Sequence, residues 1–340
     1  MAYFFKNLVF EGGGVKGIAY VGALEVMQEE KIYPKIKRVA GTSAGAIVAV
    51  LVGLGYTPDE IRNIMWELNF KNFMDDSWGI IKDSQRLLHE FGWYKGDFFR
   101  NWIGKLIKEK TGNSECTFAD LAAMKGDHPF LDIFLIGTNL STGFSEIFSA
   151  EHTPRYCIAD AARISMSIPL FFAAKRNFRG DVYVDGGVLD NYPIKVFDRK
   201  KYVTRNLVET DYYKKINKSF SKNRRKISEY VYNQETLGFR LDSKEKISLF
   251  RDNAEMPKRD INNLFDFTSG LLNTLIDAQD NAHLHSDDWQ RTIYIDTLGV
   301  KATDFAITEA KKKALLESGR QYTQSYLAWY NNEEEKANAK

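Results

Sequence analysis

The stretch GTSAG, residues 41–45, places Ser43 between two glycines, directly after the stretch IKRVA. A G-x-S-x-G pattern is typical of a sharp turn between a strand and a helix, which exposes the serine hydroxyl for nucleophilic attack. The same pattern also arises by chance in tight loops, where the serine is only a small residue. The motif alone leaves both interpretations open, so the rest of the chain must decide between them.

A second candidate segment is the glycine-rich loop EGGGVKG, residues 11–17, which follows the apolar stretch KNLVF. Glycines lack a Cβ, so such a loop can turn several N–H groups toward one point and stabilise an oxyanion. The C-terminal ends of adjacent parallel strands meet at one edge of a sheet. We therefore expect the glycine loop and the serine turn to lie side by side.

The glycine loop also fits the G-x-G-x-x-G pattern of dinucleotide-binding proteins, at Gly12, Gly14 and Gly17. That fingerprint requires an acidic residue about 20 positions further on, which holds the ribose. Here the second predicted strand ends at residues 39–41, VAG, without an acid. A phosphate-binding P-loop does not fit either, because Lys16 precedes Gly17 instead of following it. The sequence therefore disfavours a nucleotide at this loop.

A serine hydroxyl needs a base that accepts its proton. The chain has five histidines, but none of them lies in a glycine-framed turn. In the stretch VYVDGG, by contrast, a predicted strand ends at Asp185. The next two residues, Gly186 and Gly187, have no side chains and leave room for other backbone segments to approach closely. A carboxylate in a poorly solvated cleft has a raised pKa and can act as a base. An isolated Asp-Gly pair is more often a turn, so Asp185 gains weight only together with the other two segments.

The three segments, in this order, resemble the motifs of the patatin-like phospholipase family. The resemblance implies that Ser43 is the nucleophile and that Asp185 is the general base of a Ser-Asp dyad. It also implies that Gly12, Gly13 and Gly14 form the oxyanion hole. The positions that support these motifs are Lys16, Gly17, Gly41, Gly45, Gly186 and Gly187.

The family implies hydrolysis of acyl esters in phospholipids or lysophospholipids through an acyl-enzyme, with no cofactor and no metal ion. The segment ISMSIPLFF, residues 164–172, is similar to a family segment and is expected to form a helix end that shapes the site. The resemblance is specific through about residue 196. At Glu11 the sequence departs from the family, in which Asp is common.

Two other functions compete with this one. The first is an α/β-hydrolase with a Ser-Asp-His triad that uses His283 or His285, although that fold usually builds more than two strands before its serine turn. The second is a non-enzymatic module that binds a nucleotide or a nucleic acid through a basic segment. It leaves the glycine loop and Ser43 unexplained, so we expect no nucleic acid partner.

Alternating strand and helix patterns predict the elements that position these segments. Strands are predicted at KNLVF, KIKRVA, FLDIFLIGTNL, FSEIFS, DVYVDGG and RTIYIDT. Helices are predicted after Gly17, after Ser43, from a capping box at Thr57, and from about Thr308 to Tyr330. The patterns predict the fold class α/β with a mainly parallel central sheet, and the resemblance implies a three-layer α/β/α patatin-like fold. We expect a single domain over residues 1–340, with the catalytic motifs within 8–196.

The segment from Lys195 to Lys226 is strongly basic. It holds twelve Lys or Arg against three acidic residues, a local balance of +9 in a chain whose net charge is +2. Aromatic side chains are interspersed among these cations, a mixture that suits the surface of an anionic membrane. A solvated loop explains the composition equally well. We predict an insert over about 195–260, whose basic part either makes peripheral membrane contact or is solvated.

The remaining composition is that of a globular protein, with 44% apolar and 27% charged residues. The N-terminus lacks the features of a secretory signal, and no apolar run reaches the roughly 18 residues of a membrane span. Cys116 and Cys157 are too few for a disulfide framework or a metal cluster. We expect a cytoplasmic protein, peripheral on membranes, with export without a cleavable signal as the open alternative. The sequence does not indicate an oligomeric state.

Overall fold

The computed structural model covers the chain of 340 residues. It describes residues 3–74, 89–221, 229–243, 261–262, 267, 270–271, 274–275, 278–279 and 287–332. The strands in this part are β1 Asn7–Phe10, β2 Arg38–Gly41, β3 Gly92–Tyr94, β4 Asp132–Asn139, β5 Phe144–Phe148, β6 Leu170–Phe172, β7 Lys175–Arg176, β8 Val182–Asp185, β9 Thr236–Asp242 and β10 Thr292–Asp296. Strands β3 and β6 pair with each other, and the other eight form one sheet.

The helices of the described residues are α1 Ala19–Glu29, α2 Ala44–Gly53, α3 Pro58–Glu67, α4 Asp97–Thr111, α5 Phe118–Met124, α6 Ile158–Ser165, α7 Asp211–Ser221 and α8 Glu309–Asn331. The predicted capping box is confirmed at α3. The Thr57 hydroxyl accepts from the N–H of Glu60 at 3.2 Å, and the Glu60 carboxylate accepts from the N–H of Thr57 at 2.7 Å. Among the described helices, none combines the length and the apolar character needed to cross a bilayer.

The central sheet is mainly parallel, which confirms the sequence-based expectation. Strands β10, β9, β1, β2 and β4 lie in this order, and each neighbouring pair is parallel. Their C-terminal ends therefore share one edge of the sheet. We call this the carboxyl edge and the opposite one the amino edge. The serine turn follows β2 and the glycine loop follows β1, so both lie at the carboxyl edge.

Strand β4 brings a further strand end to the same place. Leu135 pairs with Gly41 of β2 on one side and with β5 on the other. Gly137, two residues further along β4, also pairs with β5 on one side. Its partner on the opposite side, which is the side of β2, is Asp185 of β8. Strand β8 is antiparallel to β4 and thus runs toward the end of β2. The two strands meet end to end at the carboxyl edge.

The side chains of the strands alternate between the two faces of the sheet. In β1, Leu8 and Phe10 join the large core that contains α1 and α2, whereas Val9 points to the other face. On that second face, Tyr192 and Phe197 pack over the sheet. The segment that follows β8 therefore covers the second face, and the sheet is buried between two layers.

The predicted insert over about 195–260 does not extend through residues 236–242, because these form the buried strand β9 beside β1. Leu237, Phe239 and Leu241 point into the main core, and they alternate with less apolar residues at the period of a strand. Glycine is required at 238, since a Cβ there would lie 1.8 Å from the hydroxyl oxygen of Tyr192. The division of the chain into one domain with an insert otherwise stays a prediction.

The described part of the basic segment, residues 195–221, lies against the second face and the amino edge. The N–H of Thr204 donates to the carboxylate of Glu235, directly before β9, at 2.8 Å. The guanidinium of Arg205 lies 3.4 Å from the ring centre of Phe4, just before β1. The segment thus contacts the starts of the strands, away from the serine turn. Membrane contact through it stays a prediction.

Candidate active site

Ser43 occupies a strained turn between β2 and α2. Its φ and ψ are 54° and −122°, a conformation that costs a residue with a side chain of order 1–3 kcal/mol. A Cβ at Gly41 would lie 2.2 Å from the carbonyl oxygen of Gly45, and one at Gly45 would lie 2.3 Å from that of Phe10. The N–H of Ser43 donates to the hydroxyl of Ser165 at 3.0 Å. The turn therefore needs both glycines and holds Ser43 at the N-terminus of α2, whose dipole favours negative charge.

Asp185 ends β8 and is buried, with 5% of its surface exposed. Its Oδ1 accepts from the N–H of Gly187 at 2.7 Å, and its own N–H donates to the carbonyl of Ser167 at 2.8 Å. Burial raises the pKa of the Asp185 carboxyl from its ordinary 3.8 to about 7, against the smaller lowering effects of the Gly187 N–H and the Ser43 hydroxyl. This carboxyl therefore titrates near neutral pH, which suits a general base.

The other carboxylate oxygen of Asp185, Oδ2, is buried and has no hydrogen-bond partner within the described residues. The Ser43 hydroxyl is nevertheless close enough to lower the pKa of this carboxyl. In the present rotamer, Oγ of Ser43 contacts Sδ of Met166 at 3.7 Å instead. A buried carboxylate oxygen without a donor, beside a hydroxyl, is an acceptor available for the proton of that hydroxyl.

The glycine loop lies directly beside the serine turn. A Cβ at Gly12 would come within 3.1 Å of the Cβ of Ser43, so the two segments can approach only through glycine. The N–H of Gly12 donates to the carbonyl of Asn191 at 3.0 Å and is therefore not free for an oxyanion. In the part of the chain that the structure describes, no backbone hydrogen bond engages the N–H of Gly13 or Gly14. The N–H groups of Gly13 and Gly14 are thus the candidates from this loop that have no backbone acceptor in the described residues, and the oxyanion hole itself stays a prediction.

The following residues anchor the glycine loop to its neighbours. Gly14 has a φ of +57°, and a Cβ there would lie 2.0 Å from a carbonyl oxygen of the loop after β10. Nζ of Lys16 donates to the carbonyl of Leu241 in β9 at 3.3 Å. Gly17 lets the loop pack closely on α2, because its Cβ would approach that of Ala44 to 3.2 Å. The hydrogen bond of Lys16 thus links the glycine loop to the sheet.

Glu11 links the glycine loop to two other segments. Its Oε2 accepts from the N–H of Leu241 at 2.6 Å, and its Oε1 accepts from Nδ2 of Asn191 at 3.3 Å. The buried guanidinium of Arg240 lies 3.7 Å from Oε1. Since Asn191 also binds Gly12, Glu11 and Asn191 together fix the glycine loop against the chain that follows Asp185.

The two glycines after Asp185 allow the chain to turn at once. A Cβ at Gly186 would lie 2.5 Å from the carbonyl oxygen of Ile136. A Cβ at Gly187 would lie 2.9 Å from Oδ1 of Asn191. Gly186 therefore faces fixed backbone and needs glycine, whereas a Cβ at Gly187 would displace the Asn191 side chain.

Gln279 forms hydrogen bonds to the same turn. Its Oε1 accepts from the N–H of Asn191 at 3.0 Å. Its Nε2 donates to the carbonyls of Gly187 and Val188 at 3.3 and 3.0 Å. One side chain thus satisfies three backbone groups next to Asp185.

The segment ISMSIPLFF forms the expected helix end, because α6 ends at Ser165. Ser165 and Met166 both contact Ser43. Sequence reasoning missed the individual roles of Ser165, Asn191 and Gln279. The first two lie inside or just after recognised motifs, whereas Gln279 carries no local signal.

His283 and His285, which the triad alternative requires, lie outside the described residues. In the rest of the described chain, no hydrogen bond joins a histidine to Ser43 or Asp185. The described residues thus supply Asp185 as the titratable group beside the Ser43 hydroxyl.

One cluster of metal-ligand side chains lies elsewhere, around α6. Ligand atoms of Glu115, Cys157 and Asp160 lie within 4.8 Å of one another. The guanidinium of Arg100 donates to Glu115 at 2.7 Å and to Asp160 at 3.0 Å. Because the Arg100 guanidinium pairs with both carboxylates, the described cluster is an ion-pair network.

Known proteins match both the sequence and the fold. The family model described as patatin-like phospholipase matches residues 8–198, which include all three motifs. The Bacillus subtilis (strain 168) protein named "Uncharacterized protein YqhO" is 33% identical over 333 residues, 94% of this chain and 97% of that protein. The "Probable lipid hydrolase 463L" of Invertebrate iridescent virus 6 is 25% identical over 193 residues, 57% of this chain and 63% of that protein.

A solved structure shows a similar fold. The crystal structure of VipD from Legionella pneumophila matches with a TM-score of 0.59 and 18% sequence identity. The match covers 96% of this chain and 67% of that one. The central sheet with flanking helices is thus a known architecture.

Proposed function

This chain belongs to the patatin-like phospholipase family, and from that premise we propose that it is a serine hydrolase that cleaves acyl esters of phospholipids or lysophospholipids. Family membership and the viral relative described as a probable lipid hydrolase support lipid hydrolysis as the activity. The finer proposal is a Ser43–Asp185 dyad that works through an acyl-enzyme. It is argued from the geometry of the carboxyl edge.

In the proposed first step, Oγ of Ser43 attacks the carbonyl carbon of the ester while its proton passes to Oδ2 of Asp185. The N–H groups of Gly13 and Gly14 and the N-terminus of α2 stabilise the resulting oxyanion. The intermediate collapses, the bond to the alcohol oxygen breaks, and that oxygen takes the proton from Asp185. The acyl group then remains on Ser43.

In the second step, Asp185 accepts a proton from a water molecule as the water oxygen attacks the acyl carbonyl carbon. The same N–H groups hold the second oxyanion. The bond between the acyl carbon and Oγ of Ser43 breaks, and Oγ takes back the proton from Asp185. A free fatty acid leaves, and the enzyme returns to its starting protonation state.

One observation carries this proposal: Asp185 is a buried carboxyl beside the Ser43 hydroxyl, with Oδ2 unpaired in the described chain and a pKa of about 7. Because its pKa is about 3 units above the ordinary value, the carboxylate is about 10³-fold more basic than an exposed aspartate. A stronger base lowers the barrier to removing the serine proton. Burying this carboxyl lowers the stability of the fold, and its presence here therefore favours a chemical role for Asp185 over a structural one.

Covalent labelling tests the nucleophile before the natural lipid is known. We expect a fluorophosphonate probe to label wild-type protein at Ser43 and to leave Ser43→Ala unlabelled. Hydrolysis of a lysophospholipid should fall at least about 10³-fold in Ser43→Ala and in Asp185→Asn. Ser145→Ala, at an exposed serine of β5, is the matched control and should behave as wild type.

Three results would contradict the proposal: labelling of another residue, full activity of Asp185→Asn, or loss of activity in the double variant His283→Ala/His285→Ala. The last result would favour the triad alternative. If the dyad is correct, the double histidine variant keeps nearly all of its activity.

A further inference from the structure

Two hairpin tips at the carboxyl edge have no part in the proposed chemistry. Residues 140–143 connect β4 to β5, which begins at Phe144, and residues 177–181 connect β7 to β8. We call these two tips, together with the adjoining Phe144 and Arg176, the hairpin apex. The N–H of Leu140 donates to the carbonyl of Val182 at 2.9 Å, and the N–H of Val182 donates to the hydroxyl of Ser141 at 2.9 Å. These bonds tie the tips into one surface.

The hairpin apex stands beyond the level of the active site. Asp185 pairs with Gly137 of β4, and Leu140 follows three residues further along the same strand direction. At a rise of about 3.3 Å per residue, the apex therefore begins about 10 Å beyond Asp185. A flat surface that approaches the carboxyl edge meets the hairpin apex before it reaches Ser43.

The hairpin apex is strongly apolar for an exposed surface. Phe178 and Phe144 are 90% and 73% exposed, the highest values among the large apolar side chains of the described residues, and Leu140 is 52% exposed. Leu189, after Asp185, and Leu298, after β10, are also exposed at this edge. Apolar side chains concentrated at one edge are typical of an interaction surface.

Cations accompany the exposed rings of the hairpin apex. The guanidinium of Arg179 lies 5.3 Å from the ring centre of Phe178, and that of Arg176 lies 5.9 Å from the ring centre of Phe91. The hairpin apex contains one acidic residue, Asp181, against the two cations Arg176 and Arg179. The Asp181 carboxylate accepts hydrogen bonds from two asparagine side chains at 3.4 and 3.1 Å. The apex therefore presents apolar groups and a net positive charge.

We propose that the hairpin apex docks the protein on an anionic lipid bilayer. Phe144 and Phe178 enter the interface between headgroups and acyl chains, and Arg176 and Arg179 contact the phosphates. Aromatic rings with adjacent cations match this layer of a bilayer. Docking in this orientation turns Ser43 toward the lipid and the basic segment away from it. The inference rests on the proposed function, because it names the surface on which the same site acts.

Sedimentation with vesicles tests binding separately from hydrolysis. Full-length Ser43→Ala, which should not consume the lipid, is mixed with vesicles of equimolar phosphatidylcholine and phosphatidylglycerol. Adding Phe144→Ser and Phe178→Ser should lower the partition coefficient at least about tenfold, because less apolar surface is buried. Leu207→Ser, at an apolar residue that is 49% exposed at the amino edge, is the matched control and should bind unchanged.

Charge variants distinguish the hairpin apex from the basic segment. Arg176→Gln with Arg179→Gln should weaken binding about tenfold on the anionic vesicles and leave binding to pure phosphatidylcholine unchanged. Lys214→Gln, Lys215→Gln and Lys218→Gln together should not alter binding. Loss of binding in the lysine variant and not in the arginine variant would assign docking to the basic segment and overturn the inference.

An activity assay links docking to catalysis. With Ser43 intact, Phe144→Ser/Phe178→Ser should hydrolyse a short soluble ester at the wild-type rate and vesicle phospholipid at least about tenfold more slowly. The soluble substrate also reports that the variant is folded. If wild type hydrolyses neither substrate, the proposed function fails while the sedimentation result still decides the inference. Unchanged sedimentation of the double phenylalanine variant, or no vesicle binding by Ser43→Ala, overturns it.

Discussion

Ser43 and Asp185 donate their backbone N–H groups to the same short segment, to the hydroxyl of Ser165 and the carbonyl of Ser167. Ser43 follows the end of β2 and Asp185 ends β8, and these two strands run toward each other along one side of β4. Their relative position is thus fixed by the backbone and by the end of α6. We therefore expect that changing either side chain alters the chemistry while leaving the turn in place.

The pH dependence of hydrolysis should follow the carboxyl of Asp185. A general base works only when deprotonated, and the pKa of this group is raised by burial to about 7. The ratio kcat/KM for an uncharged soluble ester should therefore rise about tenfold per pH unit below pH 7 and level off above it. Stopped assays from pH 5 to pH 9 measure this profile. A wild-type profile without a midpoint near 7 would argue against Asp185 as the base.

Because it is buried, the charged Asp185 carboxylate should lower the free energy of unfolding at neutral and alkaline pH. Because the folded-state pKa is raised from 3.8 to about 7, the native state loses stability as the pH increases from about 4 to about 7. Asp185→Asn removes this charge, so it should raise the free energy of unfolding by up to about 4 kcal/mol at pH 8. The gain should be smaller by about 3 kcal/mol at pH 5.

Urea unfolding at the two pH values measures this difference. Asp127→Asn, at an exposed position, is the control and should change stability by less than about 0.5 kcal/mol at either pH. An Asp185→Asn variant that is no more stable than wild type at pH 8 would mean that the carboxyl is not strained by burial.

The serine turn should not tolerate a methyl group at Gly45. A Cβ there would lie 2.3 Å from the carbonyl oxygen of Phe10 and 2.7 Å from that of Glu11, both fixed at the end of β1. Gly45→Ala should therefore lower the free energy of unfolding by about 2–3 kcal/mol and abolish labelling of Ser43. At Gly126, a Cβ meets nothing within 4 Å, so Gly126→Ala should be neutral. Equal stability of the two variants would contradict the close packing.

The sequence is sufficient to predict the turns that depend on local geometry. Ser43, Asp185 and the glycine loop each carry a signature of a few adjacent residues, because a tight turn between strand and helix demands glycine at fixed positions. Parallel pairing of the first strands follows from the alternation of apolar strands and helices. These local rules also place the capping box of α3 correctly.

The sequence is insufficient where a role depends on distant packing. Strand β9 is assigned to the insert although its apolar residues alternate as in a strand. The burial of Arg240 against Glu11, Tyr192 and Tyr294 is not visible in any local pattern. The partner of the Ser43 N–H is 122 residues away, and Gln279 is 88 residues from Asn191. The hydrogen bond from the N–H of Gly12 to the carbonyl of Asn191 likewise joins residues far apart in the sequence.

Ser165 should act as a positioning residue for Ser43. Ser165→Ala leaves the N–H of the buried, strained Ser43 without its acceptor, which should cost about 1–3 kcal/mol of stability. The turn should relax, so kcat for a soluble ester should fall at least about tenfold while KM changes little, because the substrate does not touch Ser165. The midpoint of the pH profile should stay near 7, since Asp185 keeps its environment. Ser165→Thr retains the hydroxyl and should restore most of the rate. A purely structural role predicts instead that kcat per folded molecule is unchanged, which active-site titration with the fluorophosphonate would reveal.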